Sequence, residues 1–171
     1  MPAPTFPNNP HRYDPYRTFK FQVTIGKTVV AGLSKMGAIK RTTEAVKWRS
    51  AGDPSFQRVM PGGSSFEAVT LEHGLSHDKV FEEWANAVNN VAEGDGGVNL
   101  KNYRREVVID VLNLQGVPAL TYKLKRAWVS DFQALPEFDA NNMNTVGIQS
   151  ITIQHEGFVR DEGTEEMVEQ A

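Results

Sequence analysis

Apolar and polar residues alternate strictly in Phe19-Lys20-Phe21-Gln22-Val23-Thr24-Ile25, which predicts a strand with one face on a core and one on water. Gly26-Lys27 supplies a tight turn into a second strand, Thr28-Val29-Val30-Ala31-Gly32-Leu33. Residues 36–46 (MGAIKRTTEAV) predict a third strand that is polar or small on both parities. Ile39, Arg41, Thr43 and Ala45 fall on one, and Lys40, Thr42, Glu44 and Val46 on the other. A lone small domain gains little by ordering such a strand, whereas in an oligomer its second face can meet a neighbour. Residues 47–64 (KWRSAGDPSFQRVMPGGS) read as a long loop or extended hairpin, punctuated by Gly52-Asp53-Pro54 and Pro61-Gly62-Gly63. Trp48, Phe56, Val59 and Met60 give this segment too much apolar surface to leave in water.

Residues 65–72 (SFEAVTLE) resume the alternation, and then the period changes. From Ser76, read as an N-cap, Val80, Phe81, Trp84, Ala87, Val88 and Val91 recur at helical spacing, with Gly94 as the closing C-cap. The spacing predicts one amphipathic helix at about 77–92 with Phe81, Trp84 and Val88 on its core face. Two strands follow at 103–114 and 119–130, joined through Gln115-Gly116-Val117-Pro118 as an antiparallel hairpin. In the second of them Leu120, Tyr122, Leu124, Arg126 and Trp128 share a parity. A last strand at 145–158 has Val146 and Ile148 on one parity and Ile151, Ile153 and His155 on the other, so a bulge is expected near Gln149-Ser150. The pattern amounts to six or seven strands and one helix.

The 171 residues suit one domain, residues 16–158, with flanking arms. Five prolines (Pro2, Pro4, Pro7, Pro10, Pro15) make residues 1–15 an extended arm. Acidic residues make 159–171 a solvated tail, with a short helix from Thr164 as an option. Hydrophobic residues are 40% of the chain and the net charge is −3, so a core is affordable and the basic excess of a general nucleic-acid binder is missing. Cysteine is absent, which excludes disulfides, thiolate metal sites and Cys nucleophiles. No apolar run approaches the ~20 residues of a bilayer span, and the N-terminus has no apolar h-region. The expectation is a protein without a membrane anchor, cytoplasmic during its assembly.

The chemistry-bearing patterns are weak. His73 and His77 stand at i, i+4, but on a strand end and a helix start, with no HExxH glutamate, so they read as ordinary surface or turn histidines rather than a metal pair. Ile25-Gly26-Lys27-Thr28 echoes the end of a phosphate-binding loop, yet Phe21 stands where its first glycine is required. There is no GxSxG elbow, and Gly94-Asp95-Gly96-Gly97 lacks calcium-loop spacing. Lys40-Arg41 and Lys123-Lys125-Arg126 form modest basic stripes, either solvated or facing an acidic partner or neighbouring subunit. No enzyme, cofactor or metal site is predicted.

Several segments form a familiar ordered set. These are Asp14-Pro15-Tyr16-Arg17-Thr18-Phe19-Lys20-Phe21-Gln22-Val23, Ala31-Gly32-Leu33-Ser34-Lys35-Met36, Met60-Pro61-Gly62-Gly63 and Val69-Thr70-Leu71-Glu72-His73-Gly74-Leu75-Ser76-His77-Asp78. Phe81 and Trp84 follow, then Leu124-Lys125-Arg126-Ala127-Trp128-Val129 and Ile151-Thr152-Ile153-Gln154-His155-Glu156-Gly157-Phe158. Over about residues 14–158 the chain resembles the T4-type phage tail tube family, the inner-tube proteins of contractile tails and extracellular contractile injection systems. It departs at Glu72-His73, where the family more often carries a basic pair.

The resemblance implies a mainly β fold, a barrel-like pair of packed antiparallel sheets flanked by one helix, assembling into hexameric rings. Those rings stack into a rigid hollow tube that conducts an effector protein or DNA, driven through a target envelope by sheath contraction. The implied partners are sister copies in a homohexamer, a sheath protein, baseplate or spike proteins and a tube terminator. On this reading the 47–64 segment makes the inter-ring contact through Trp48, Arg49, Asp53, Phe56 and Met60, unless it folds as a flap over its own barrel. The polar strand would turn Lys40, Thr42 and Glu44 to the lumen or a neighbouring subunit. A tube-initiator or baseplate-proximal paralogue, and a monomeric β-barrel binding module, are the alternatives.

Overall fold

The structure, a computed structural model, describes residues 14–94, 96 and 98–164. Apart from Asp14 and Pro15, the expected N-terminal arm lies outside these residues, as does the expected helix after Thr164. Among the described residues there are ten strands and one helix: β1 Phe21–Ile25, β2 Thr28–Val29, β3 Leu33–Met36, β4 Arg41–Trp48, β5 Arg58–Phe66, β6 Val69–Gly74, α1 Val80–Val88, β7 Arg105–Leu112, β8 Pro118–Gln133, β9 Ile148–Gln154 and β10 Phe158–Asp161. The extra strands come from divisions of predicted ones. The 28–33 strand breaks at Gly32, which takes a left-handed φ of 68°, and 65–72 breaks between β5 and β6.

All pairings are antiparallel, and the main sheet runs β2-β1-β7-β8-β9-β6-β3 with β10 added on β8. The sixteen-residue β8 carries both halves: its first part pairs β7 and β10, its second part β9. Between them the register slips. Arg105 faces Ala127 but Val107 faces Leu124, so Lys125 and Arg126 oppose one residue of β7. Arg126 sits at φ 52°. Such a bulge bends the strand and raises its twist, folding the ribbon into two layers over one core. That core joins Val23, Ile25, Val107 and Ile109 to Val69, Leu71, Ile151 and Ile153.

The bulge also corrects the parity expected for β8. Leu120, Tyr122 and Trp128 are half-buried and Arg126 is exposed; the buried positions are Ala119, Thr121, Leu124, Ala127 and Val129. In β9 the expected bulge at Gln149-Ser150 does not occur. Pairing with β6 is continuous from Gly74↔Ile148 to Val69↔Ile153, and Gln149 is buried in phase with Ile151 and Ile153. On the other side of β9 the β8–β9 ladder is irregular, but the extra residue sits on β8, between Val129 and Asp131. The predicted 145–158 strand turns at Gly157, φ 141°, and continues as β10 to Asp161, so regular structure reaches past residue 158.

The helix is shorter than its apolar spacing suggests. Ser76 Oγ accepts the Asp78 N–H at 3.3 Å and Asp78 Oδ1 accepts the Val80 N–H at 3.1 Å. These local bonds hold the chain out of helical geometry, and the N-cap is Lys79 rather than Ser76. Asn89, extended, ends the helix in place of Gly94, and Val91 lies beyond it in solvent. Nine residues make a marginal helix alone; Phe81 and Trp84, both wholly buried, anchor this one, while Val88 is half-buried. His73 is not a surface histidine: it is buried, its ring 4.3 Å from that of Phe81.

Candidate assembly surface

Residues 41–66 fold back on themselves as the β4–β5 hairpin, a two-stranded sheet separate from the main one. The segment expected as a long loop or extended hairpin is therefore a hairpin, strand on both sides of a tip at 49–57. Every residue of β4, and every residue of β5 except Phe66, is exposed, so the hairpin is not a flap over its own barrel. Thr43 faces Ser64 and Ala45 faces Pro61, which places Gly62 and Gly63 against the single residue Glu44. A Cβ at Gly62 would stand 2.8 Å from Val46 Cγ2 and 3.3 Å from the Glu44 carbonyl oxygen, so a larger residue in that bulge would require Val46 to shift.

Asp53 organises the tip. Its carboxylate accepts the Ser50 N–H at 2.8 Å and pairs with Arg58 at 2.9 Å, while its carbonyl accepts from Arg49 at 3.0 Å. Arg58 in turn lies over the Trp48 ring, 5.2 Å from its centre, a cation–π contact across the Trp48↔Arg58 pair. Phe56 and Met60 remain 65% and 48% exposed and Trp48 43%. The five residues expected at an inter-ring contact thus lie on one hairpin: Arg49, Asp53 and Phe56 in the tip, Trp48 and Met60 on its strands.

Strand parity carries the candidate polar residues onto the same hairpin. Thr42, Glu44, Val46 and Trp48 alternate along one face of β4, polar near the root and apolar near the tip. Lys40 precedes the strand and pairs with Glu67 at 3.0 Å.

At the root, His155 Nε2–H donates to the Glu67 carbonyl at 3.0 Å, because its Nδ1 accepts the Gly157 N–H at 3.3 Å. Phe66 and Phe158 pack beside its ring with centroids 5.6 and 6.3 Å away. The HEGF segment quoted for the family resemblance thus clamps the place where the hairpin leaves the body.

The basic stripe on β8 is neutralised within the chain. Lys123 pairs with Asp161 at 3.0 Å, Lys125 with Glu106, and Arg126 and Arg104 with Glu156. The Gly163 N–H and Lys123 hold the Asp161 carboxyl below its usual range, and Asp161 holds Lys123 above its own. The Tyr103 hydroxyl and Glu156 likewise raise Arg104.

The sequence carried no expectation for residues 134–144 and placed Val146 on the last strand, but β9 starts only at Ile148, and the whole β8–β9 loop, residues 134–147, holds Leu135, Phe138, Met143 and Val146 out in solvent. Leu135, Phe138 and Met143, three large apolar residues in a long stretch without strand alternation, were the available signal. Among the described residues no group of three His, Asp or Glu side chains is placed to hold a metal ion.

An antiparallel β body with an exposed two-stranded hairpin, apolar towards its tip, defines the class of fold. The chain belongs to the family described as T4-like virus tail tube protein gp19, whose model matches residues 17–159. No curated protein matches it by sequence. Among solved structures, it is similar to a protein of the PVC extracellular contractile injection system sheath–tube complex in the extended state. The two are 18% identical with a TM-score of 0.71, over 92% of this chain and 99% of the other. Against the tube-terminating cap of the anti-feeding prophage the identity is 20% and the TM-score 0.69, over 86% and 91%. For Hcp1 from Flavobacterium johnsoniae the values are 14% and 0.53, over 88% and 100%. At these identities the likeness is one of fold.

Proposed function

We propose that the chain is the inner-tube subunit of a contractile particle, six copies closing a ring and rings stacking into a rigid hollow column. A contracting sheath drives that column through a target envelope, and an effector protein or DNA travels in its lumen. The reading assigns the subunit no covalent chemistry; its task is stiffness and passage. The observation that carries it is the β4–β5 hairpin. Two strands alone are marginal in water, and unpaired edges are surfaces that natural sheets must cover. Among the described residues this hairpin has no third strand on either side and both faces exposed, so sister copies are the natural cover.

In this reading Trp48, Arg49, Asp53, Phe56 and Met60 make the inter-ring contact, and Lys40, Thr42 and Glu44 turn to the lumen or the adjoining subunit. The shared fold with assemblies named as a sheath–tube complex, a baseplate and a tube-terminating cap supports a sheath, baseplate or spike proteins and a terminator as partners. No helix of the described residues is long and apolar enough to cross a membrane. Negative-stain microscopy and size-exclusion of the full chain at rising concentration test the proposal. Six-membered rings and tubes are expected; a chain that stays monomeric at high concentration overturns it, and rings that never stack point to an initiator.

A further inference from the structure

We propose that the β8–β9 loop, residues 134–147, is the socket that receives the β4–β5 hairpin of a second copy in the next ring. This deepens the tube reading and rests on it. The register places the hairpin root and the β8–β9 loop at opposite ends of one strand. Val69, just after the hairpin root, pairs with Ile153 near the end of β9, whereas Gly147 leads into its start at Ile148. Seven residues of β9 separate the two exits by roughly 20 Å. A knob at one end and a receptor at the other make a heterologous contact, which does not close on itself and so grows a filament.

The surfaces also match in chemistry. Across 45–60 the hairpin carries Lys47, Arg49 and Arg58 against one acid, Asp53, which is already engaged by Arg58. The loop carries Glu137 and Asp139 and no basic residue. Opposite net charge steers the approach and fixes the register of such a contact. Both surfaces also offer bare apolar side chains: Phe56 and Met60 on the hairpin, Phe138 and Met143 on the loop, these last 69% and 91% exposed. The loop is already fastened at both ends and at one internal turn. Asp139 Oδ1 accepts the Asn141 N–H at 2.9 Å, Gln149 Nε2 donates to the Ala134 carbonyl at 3.3 Å, and Leu75 N–H donates to the Gly147 carbonyl at 2.9 Å. Part of the ordering entropy is therefore spent in the free chain, which lessens what docking has to supply.

The chain has no cysteine, so introduced thiols report adjacency without background. Ser55→Cys in the hairpin tip and Asn141→Cys in the loop, combined in the full-length chain, spare every apolar anchor. After assembly and treatment with a short bis-maleimide, denaturing gels are expected to show a ladder well beyond the dimer, while each single variant shows none. If microscopy shows tubes but the double variant gives no ladder, the socket assignment fails and the tube reading stands. If no tubes form, the tube reading fails and the docking with it. Glu137→Lys gives the loop the hairpin's own sign and is expected to shorten tubes at low salt, with a smaller effect at high salt. Tube length unchanged at both salts also counts against the assignment.

Discussion

Trp84 donates its indole N–H to the Tyr103 carbonyl at 2.7 Å, so the largest fully buried side chain also fastens the chain entering β7. The Arg105 guanidinium lies over the same ring, 5.9 Å from its centre. Trp84→Ala is expected to cost ~3–5 kcal/mol of stability through the cavity it leaves. Trp84→Phe, which keeps an aromatic ring but strands the Tyr103 carbonyl, is expected to cost ~1–3 kcal/mol. Urea unfolding followed by circular dichroism measures both.

Replacing Trp48 and Phe56 together by Ala removes apolar surface that the isolated chain leaves in water. Fold stability should fall by no more than about 1 kcal/mol, the scale of the lost Trp48–Arg58 contact, while tubes shorten or fail to form. Tubes of undiminished length in negative stain would show that the hairpin tip is not where rings meet.

Gly157 holds φ 141°, and a Cβ there would lie 3.5 Å from Phe66 Cζ. The space is adequate but the backbone conformation is not, so Gly157→Ala is expected to cost ~1–3 kcal/mol in strain. The same strain should loosen the clamp of His155 on Glu67, raising hydrogen-exchange rates at the hairpin root before the core is affected. Protection at residues 66–69 equal to the parent's would contradict this.

The Asp161 carboxyl titrates below its ordinary value, through the Gly163 N–H first and Lys123 second. A group with a depressed folded pKa stabilises above its unfolded value, about 3.9 for aspartate, and loses that contribution as pH falls through the folded value. Asp161→Asn should therefore be less stable than the parent at neutral pH. The gap should close as pH drops below about 4. A gap that persists unchanged at lower pH would mean that the Lys123 pair does not tie β10 to β8.

The parts legible in the amino-acid order are those where one face meets a core. β1 shows its alternation because Val23 and Ile25 are buried while Gln22 and Thr24 are not, and the helix shows its spacing because Phe81 and Trp84 must both reach the interior. The polar strand could be noticed for the same reason in reverse, since β4 buries neither face. Its full extent could not be read, because a strand exposed on both sides has no alternation to mark where it ends. Trp48 and Arg58 pair across the hairpin, yet nothing local in the chain distinguishes that arrangement from a loop.

Residue order by itself determined the mainly β class with one helix, the core face of that helix at Phe81 and Trp84, and the presence of a polar strand that needs a neighbour, because these depend on near neighbours and on which side chains avoid water. Only the tertiary structure decided which positions of β8 face inward, since the extra residue at Lys125-Arg126 exists only relative to β7. It alone set the hairpin root and the β8–β9 loop at opposite ends of β9, because strand register is a relation between segments distant in sequence.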